Sequence, residues 1–172
     1  MRKQNVVKPS NYYLNKDRWI SFGLFIQPFV GTLLIWAFGG RYDPKDSWYR
    51  NLKKPNVTPP NYVFPIVWPV LYLLLAINGV YMYQNKPPAL RRVYFILYEI
   101  QLFLNFIWIL FFFQLKNLPA ATGIAAAMVG LTIALVVMSF KVDKIAGILL
   151  LPYLAWISFA LFLTVYILIN NR

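Results

Sequence analysis

Long apolar runs separated by short polar breaks organise this chain. In order they predict five helices, at about Trp19 to Phe38, Asn61 to Tyr83, Arg92 to Gln114, Ala120 to Phe140 and Ile145 to Ile169. Each has the length of about 20 residues that crosses a bilayer core. Gly39-Gly40 closes the first run, Asn85 to Pro88 the second and Leu115 to Pro119 the third. Turns this short make the later consecutive helices antiparallel neighbours. The expected fold is an all-α membrane protein, with residues 19–170 forming a single five-transmembrane-helix bundle. Gln27 and Pro28 fall inside the first run and predict a kink there, while Trp19 and Trp36 suit its two interfaces.

Composition supports this pattern. Of the 172 residues, 60% are hydrophobic and 13% charged, against about half and a quarter in a soluble domain. Residues 1–18 form a basic polar tail with no apolar stretch leading to a cleavage site, so they do not read as a secretory signal. The net charge of +12 sits in that tail and in the loops. It therefore reads as topological and headgroup-anchoring charge, and nucleic acid is not an expected partner. Ten of the 17 basic residues lie on the side of the N-terminus, which the bias places in the cytoplasm if the membrane is bacterial. The chain contains no Cys and no His. That excludes thiolate nucleophiles, disulfides, the common zinc sites and His-based triads, and leaves haem iron without a histidine ligand. Neither a metal site nor a required cofactor is expected.

Candidate chemistry lies in the loop and on three helix faces. Residues 40–60 form a proline-rich loop between the first two helices, stiffened by Pro55, Pro59 and Pro60 and carrying Arg50, Lys53 and Lys54. Asn61 is expected to cap the second helix, on which Phe64, Trp68 and Tyr72 share a face. On the third helix Gln101, Asn105 and Trp108 form a polar-aromatic stripe. Amides turned to lipid would cost several kcal/mol each, so these must meet other helices or a cavity. Glu99 lies on the opposite side of that helix, about two turns from the basic entry at Arg91 and Arg92, and reads as a snorkelling interfacial acid. On the fifth helix Pro152, Tyr153, Trp156, Ala160 and Leu163 share a face, with Phe159 at its edge, and Ala160 leaves space beside the Trp156 indole. Trp68, Trp108 and Trp156 thus predict a mostly apolar pocket with a few orienting polar groups; interhelical hydrogen bonding is the other use for the amides. The fourth helix carries the small-residue pairs Gly123/Ala127 and Ala126/Gly130, read as close packing inside the bundle rather than as a dimer face. Leu163, Tyr166 and Arg172 fit a loose sterol-contact pattern.

These residues resemble the TspO/MBR family, which comprises translocator proteins, tryptophan-rich sensory proteins and peripheral-type benzodiazepine receptors. The hallmark is carried by Trp48, Tyr49, Leu52, Lys54, Pro55, Pro59 and Pro60, followed by Val67 to Tyr72; Leu104 to Phe113 and Leu151 to Ala160 resemble the third- and fifth-helix motifs. The resemblance implies a five-helix bundle, usually a homodimer, in a bacterial membrane or, in a eukaryote, the mitochondrial outer membrane. It implies binding of porphyrins, sterols and synthetic benzodiazepine-type or isoquinoline ligands from the first-loop side. By motif position the site would comprise Tyr49, Trp68, Tyr72, Asn105, Trp108, Trp156 and Ala160, with Ala125, and Gln101 joins it from the stripe above. Many members carry a Trp where this chain has Val57. Two functions follow from the resemblance. One is a binding protein for porphyrins, protoporphyrin IX among them, and for sterols, acting as sensor, sink or transporter. The other is a light- and oxygen-dependent enzyme that degrades protoporphyrin, with Trp68 and Trp156 as the reactive pair. A third reading, from the small-residue seam and basic loops, is a membrane assembly protein without a small ligand.

Overall fold

The computed structural model describes residues 18–28, 30, 47–85 and 88–171. Residues 18–28 form helix α1. A short helix α2 follows at Ser47–Asn51, and then come α3 at Val63–Asn85, α4 at Pro88–Ile109, α5 at Leu118–Phe140 and α6 at Lys144–Asn170. The four long helices are each long and apolar enough to cross a membrane. The chain is an all-helical, integral, multi-pass membrane protein. The first predicted run begins as α1; the rest of it, including Trp36, lies outside the described residues, as do most of the basic tail and Arg172.

Local chemistry sets the helix ends. The Asn117 side chain accepts a hydrogen bond from the Ala120 N–H at 3.0 Å, and Pro119 occupies the first turn of α5. Asp143 caps α6 by accepting from the Ile145 N–H at 2.7 Å. Both satisfy donors that have no partner within a helix's first turn. The entry to α3 differs from expectation. It starts at Val63, two residues after Asn61, and the Val63 N–H bonds the Pro60 carbonyl at 3.0 Å. Proline geometry fixes this entry. The loop also contains α2, a turn of helix that the proline pattern hid.

Helix α4 runs into a π-helical turn at Leu110–Gln114, where the Leu115 N–H bonds the Leu110 carbonyl at 2.9 Å. The turn then closes through Lys116, whose φ of 52° lies in the left-handed region. For a residue with a side chain this costs about 1 kcal/mol.

Close backbone approach joins α5 to α6, α4 to α5 and α3 to α6. The expected adjacency therefore holds for α4, α5 and α6. Between α3 and α4, large side chains span the interval. The Tyr72 hydroxyl donates to Asn105 Oδ1 at 2.9 Å, and the Tyr98 hydroxyl donates to the Leu75 carbonyl at 3.2 Å. Further along, the Tyr94 hydroxyl donates to Asn78, which in turn donates to Ser139 Oγ at 3.3 Å and to the Ala146 carbonyl at 2.8 Å. That buried cluster ties all four long helices together at the end remote from α2.

One expectation is overturned. The seam of Gly123, Ala126, Ala127 and Gly130 is exposed on the outer side of α5. A Cβ added to Gly123 or Gly130 would meet nothing within 4 Å. The bundle takes another register of the same helix, with Ala121, Ala125, Met128 and Thr132 buried. So many small residues crowd this helix that spacing alone fits several faces. The Glu99 carboxylate accepts a hydrogen bond from the Gln27 side chain of α1. An amide reaching across from a neighbouring helix satisfies the acid within the span, where a charge needs a partner.

Candidate functional site

The centre of the bundle holds a linear chain of buried polar side chains. Tyr72 of α3 donates to Asn105 Oδ1. Asn105 Nδ2 and Gln101 Nε2, both on α4, each donate to the Tyr153 hydroxyl of α6 at 3.0 Å. All four residues are at most 3% exposed. The Tyr153 oxygen accepts both amide donors, while Gln101 Oε1 and Trp108 Nε1 are buried without a partner. A buried polar atom left unpaired costs about 1–3 kcal/mol. The chain therefore holds unused hydrogen-bonding capacity on α4, one helical turn to either side of Asn105.

The three tryptophans border this chain. Trp68 stacks on Tyr72 with ring centres 5.3 Å apart, and Trp156 meets Phe64 edge-on at 5.8 Å. Trp108 stacks on Phe112 at 5.2 Å. Each is half-buried, and all three pack against the same hydrophobic core. Ala125 is buried on α5 and Ala160 is half-buried on α6, one turn after Trp156. Phe64, Trp68 and Tyr72 lie on one face of α3, as their spacing requires.

Helix α2 caps this end of the bundle. Tyr49 is buried with Phe112, Leu118, Ala121 and Ile167, and Trp48, Leu52, Phe113 and Trp108 pack around them. Trp108 belongs both to this cluster and to the main core, so the cap is continuous with the aromatic centre. Cations rest on the cap's rings. Lys54 Nζ lies 4.2 Å over Tyr49 and donates to the Tyr49 carbonyl at 2.6 Å, and burial pushes its amine below the ordinary lysine value. Lys116 Nζ lies 5.2 Å from the Trp48 ring centre, which gives its left-handed backbone a use. The Pro55 carbonyl accepts from both the N–H and the hydroxyl of Thr58, closing a tight turn. Val57 on that turn is 60% exposed.

The TspO/MBR family model matches residues 24–169, nearly the whole of the bundle. The chain belongs to the TspO/MBR family. It is similar to the tryptophan-rich protein TspO of Chlorobaculum tepidum, at 34% identity over 151 residues covering 83% of this chain and 92% of that protein. Protein CrtK of Rhodobacter capsulatus is 30% identical over 146 residues, 82% of this chain and 88% of its own length. The translocator protein of Sus scrofa is 30% identical over 142 residues, 77% and 83% of the two chains.

Among the residues carried over from the family motifs, the structure joins Tyr72 and Asn105 directly and places Trp68, Trp108 and Trp156 around them. Tyr49 stands apart in the cap and meets the group through Phe112 and Trp108. Of the sterol-contact pattern, Leu163 is buried and Tyr166 exposed, and Arg172 lies outside the described residues. Sequence reasoning placed Tyr153 on the right face but missed its role as the hub between two amides. An isolated Tyr inside a span, opposite an i, i+4 pair of amides, was the available signal. Phe112 was hidden by the π-helical turn, which shifts the face on which the residues after Trp108 emerge.

Proposed function

We propose that this member of the TspO/MBR family is a membrane protein that binds a flat, largely apolar tetrapyrrole such as protoporphyrin, as sensor, sink or transporter. Support comes from one arrangement: unpaired Gln101 Oε1 and Trp108 Nε1 flank the Tyr72–Asn105–Tyr153 chain, with indoles of three helices beside it. Aromatic faces stack on a macrocycle, and polar atoms at a few fixed points orient it. Metal-free porphyrin suits a chain with no His and no Cys.

Titrating the purified protein with protoporphyrin in darkness, and following tryptophan quenching, tests the reading. Saturable quenching is expected, with the affinity falling about tenfold when Trp68→Phe and Trp156→Phe are combined. Quenching that does not saturate, or that the double substitution leaves intact, would refute the proposed site. Illuminating the complex in air separates a binder from a degrading enzyme. Steady porphyrin absorbance is expected of the former; decay faster than in the double variant marks the latter.

A further inference from the structure

Asn171, just past the end of α6, reads the main chain of Lys53, 118 positions earlier. Its Oδ1 accepts from the Lys53 N–H at 2.9 Å, and its Nδ2 donates to the Lys53 carbonyl at 3.1 Å. A carboxamide has the same donor and acceptor as a peptide group, so this pairing imitates one rung of a β-ladder. The same Nδ2 also donates to the Ile167 carbonyl at 2.8 Å, which anchors the side chain to the last turn of α6. Among the described residues no other hydrogen bond ties residues 52–59 to α4, α5 or α6. The rest of the segment's hold is Lys54 on Tyr49 of α2 and apolar packing through Leu52 and the buried Pro55.

We propose that Asn171 is a latch that holds the loop of residues 52–60 closed over the aromatic end of the bundle, so that the loop's opening is set by α6. Its geometry suits a reversible device. When the loop lifts, the carboxamide keeps its bond to Ile167 and water takes up the rest, so neither state strands a buried polar atom. Because both of its hydrogen bonds to Lys53 go to main-chain atoms, the latch does not need a particular side chain there. Pro55, Pro59 and Pro60 make the released segment move as a stiff flap. That the flap gates ligand entry rests on the tetrapyrrole reading above; that it is latched does not.

The test uses the full chain in phosphatidylcholine nanodiscs. Trypsin cleavage after Arg50 and Lys53, followed by mass spectrometry, reports how often the loop opens. Asn171→Ala is expected to raise the cleavage rate about tenfold, the effect of losing two net hydrogen bonds. Asn171→Asp, which can accept but not donate, should give an intermediate rate. Asn170→Ala is the control, because Asn170 donates to the Tyr166 carbonyl at 2.8 Å in the same turn without touching the loop. Its rate should match the parent. Unchanged cleavage in both Asn171 variants, or equal acceleration in Asn170→Ala, would overturn the latch. In stopped-flow quenching with protoporphyrin, Asn171→Ala should raise the association and dissociation rates together. Faster cleavage with unchanged binding rates would overturn the gate. A parent protein that does not bind porphyrin at all would refute the tetrapyrrole reading, while the cleavage rates would still decide the latch.

Discussion

The side chain of Asn105 and the hydroxyl of Tyr153 meet at 3.0 Å between α4 and α6. The same hydroxyl accepts from Gln101, so one oxygen absorbs two buried amide donors. Removing it by Tyr153→Phe leaves both donors unpaired and should lower stability by about 1–3 kcal/mol. Gln101→Leu removes an amide whose oxygen is already unpaired and should cost clearly less. Thermal unfolding of the two variants in the same detergent checks the order; equal losses would show that Tyr153 is not the hub.

The cluster around Asn78 predicts a separation of fold from site. Asn78→Ala breaks bonds to Tyr94, Ser139 and Ala146 at once. A loss of about 2–3 kcal/mol in unfolding stability is expected. Porphyrin affinity, measured below the unfolding transition, should be unchanged, because the cluster lies at the end remote from α2.

Glycines on two faces should respond oppositely. A Cβ on Gly79 would sit 3.2 Å from the Tyr98 hydroxyl, on a fully buried ring that cannot move aside. Gly79→Ala should therefore destabilise by about 1–3 kcal/mol through overpacking. Gly123→Ala and Gly130→Ala meet nothing within 4 Å and should leave the unfolding temperature of the monomer where it is or raise it slightly.

Gln27 and Glu99 make a pair for a double-mutant cycle. Gln27→Leu strands the carboxyl group of α4 and should cost about 1–3 kcal/mol. Glu99→Leu leaves the Gln27 amide without its acceptor, whereas Glu99→Gln keeps a hydrogen-bonding partner for Gln27 and should cost less. The double replacement with Leu should recover most of the loss, since no polar atom is then left behind. Additive losses in the double variant would show that the two residues do not interact.

How much of this was legible beforehand follows from what each signal depends on. The long helices were plain because hydrocarbon imposes length and apolarity on every spanning segment, whatever its neighbours. The amides at 101 and 105 had to turn inward for the same reason. Neither argument names a partner, and so Tyr153 emerged only when α6 was placed opposite α4. The small residues of α5 show the limit most clearly. Several registers offer a small-residue face, and the choice of Ala121 and Ala125 over Gly123 and Ala127 depends on what α4 and α6 present.

The order of residues alone settled which segments live in the membrane, where the chain must turn and which aromatic side chains, such as Phe64, Trp68 and Tyr72, share a helical face, because these obey local periodicity and solvent preference. The spatial arrangement was needed to pair Gln27 with Glu99, Asn105 with Tyr153 and Asn171 with Lys53. Each of those contacts joins residues 48 to 118 positions apart, and no local rule carries that far. What selects them is the requirement that every buried donor and acceptor find a mate once the helices close.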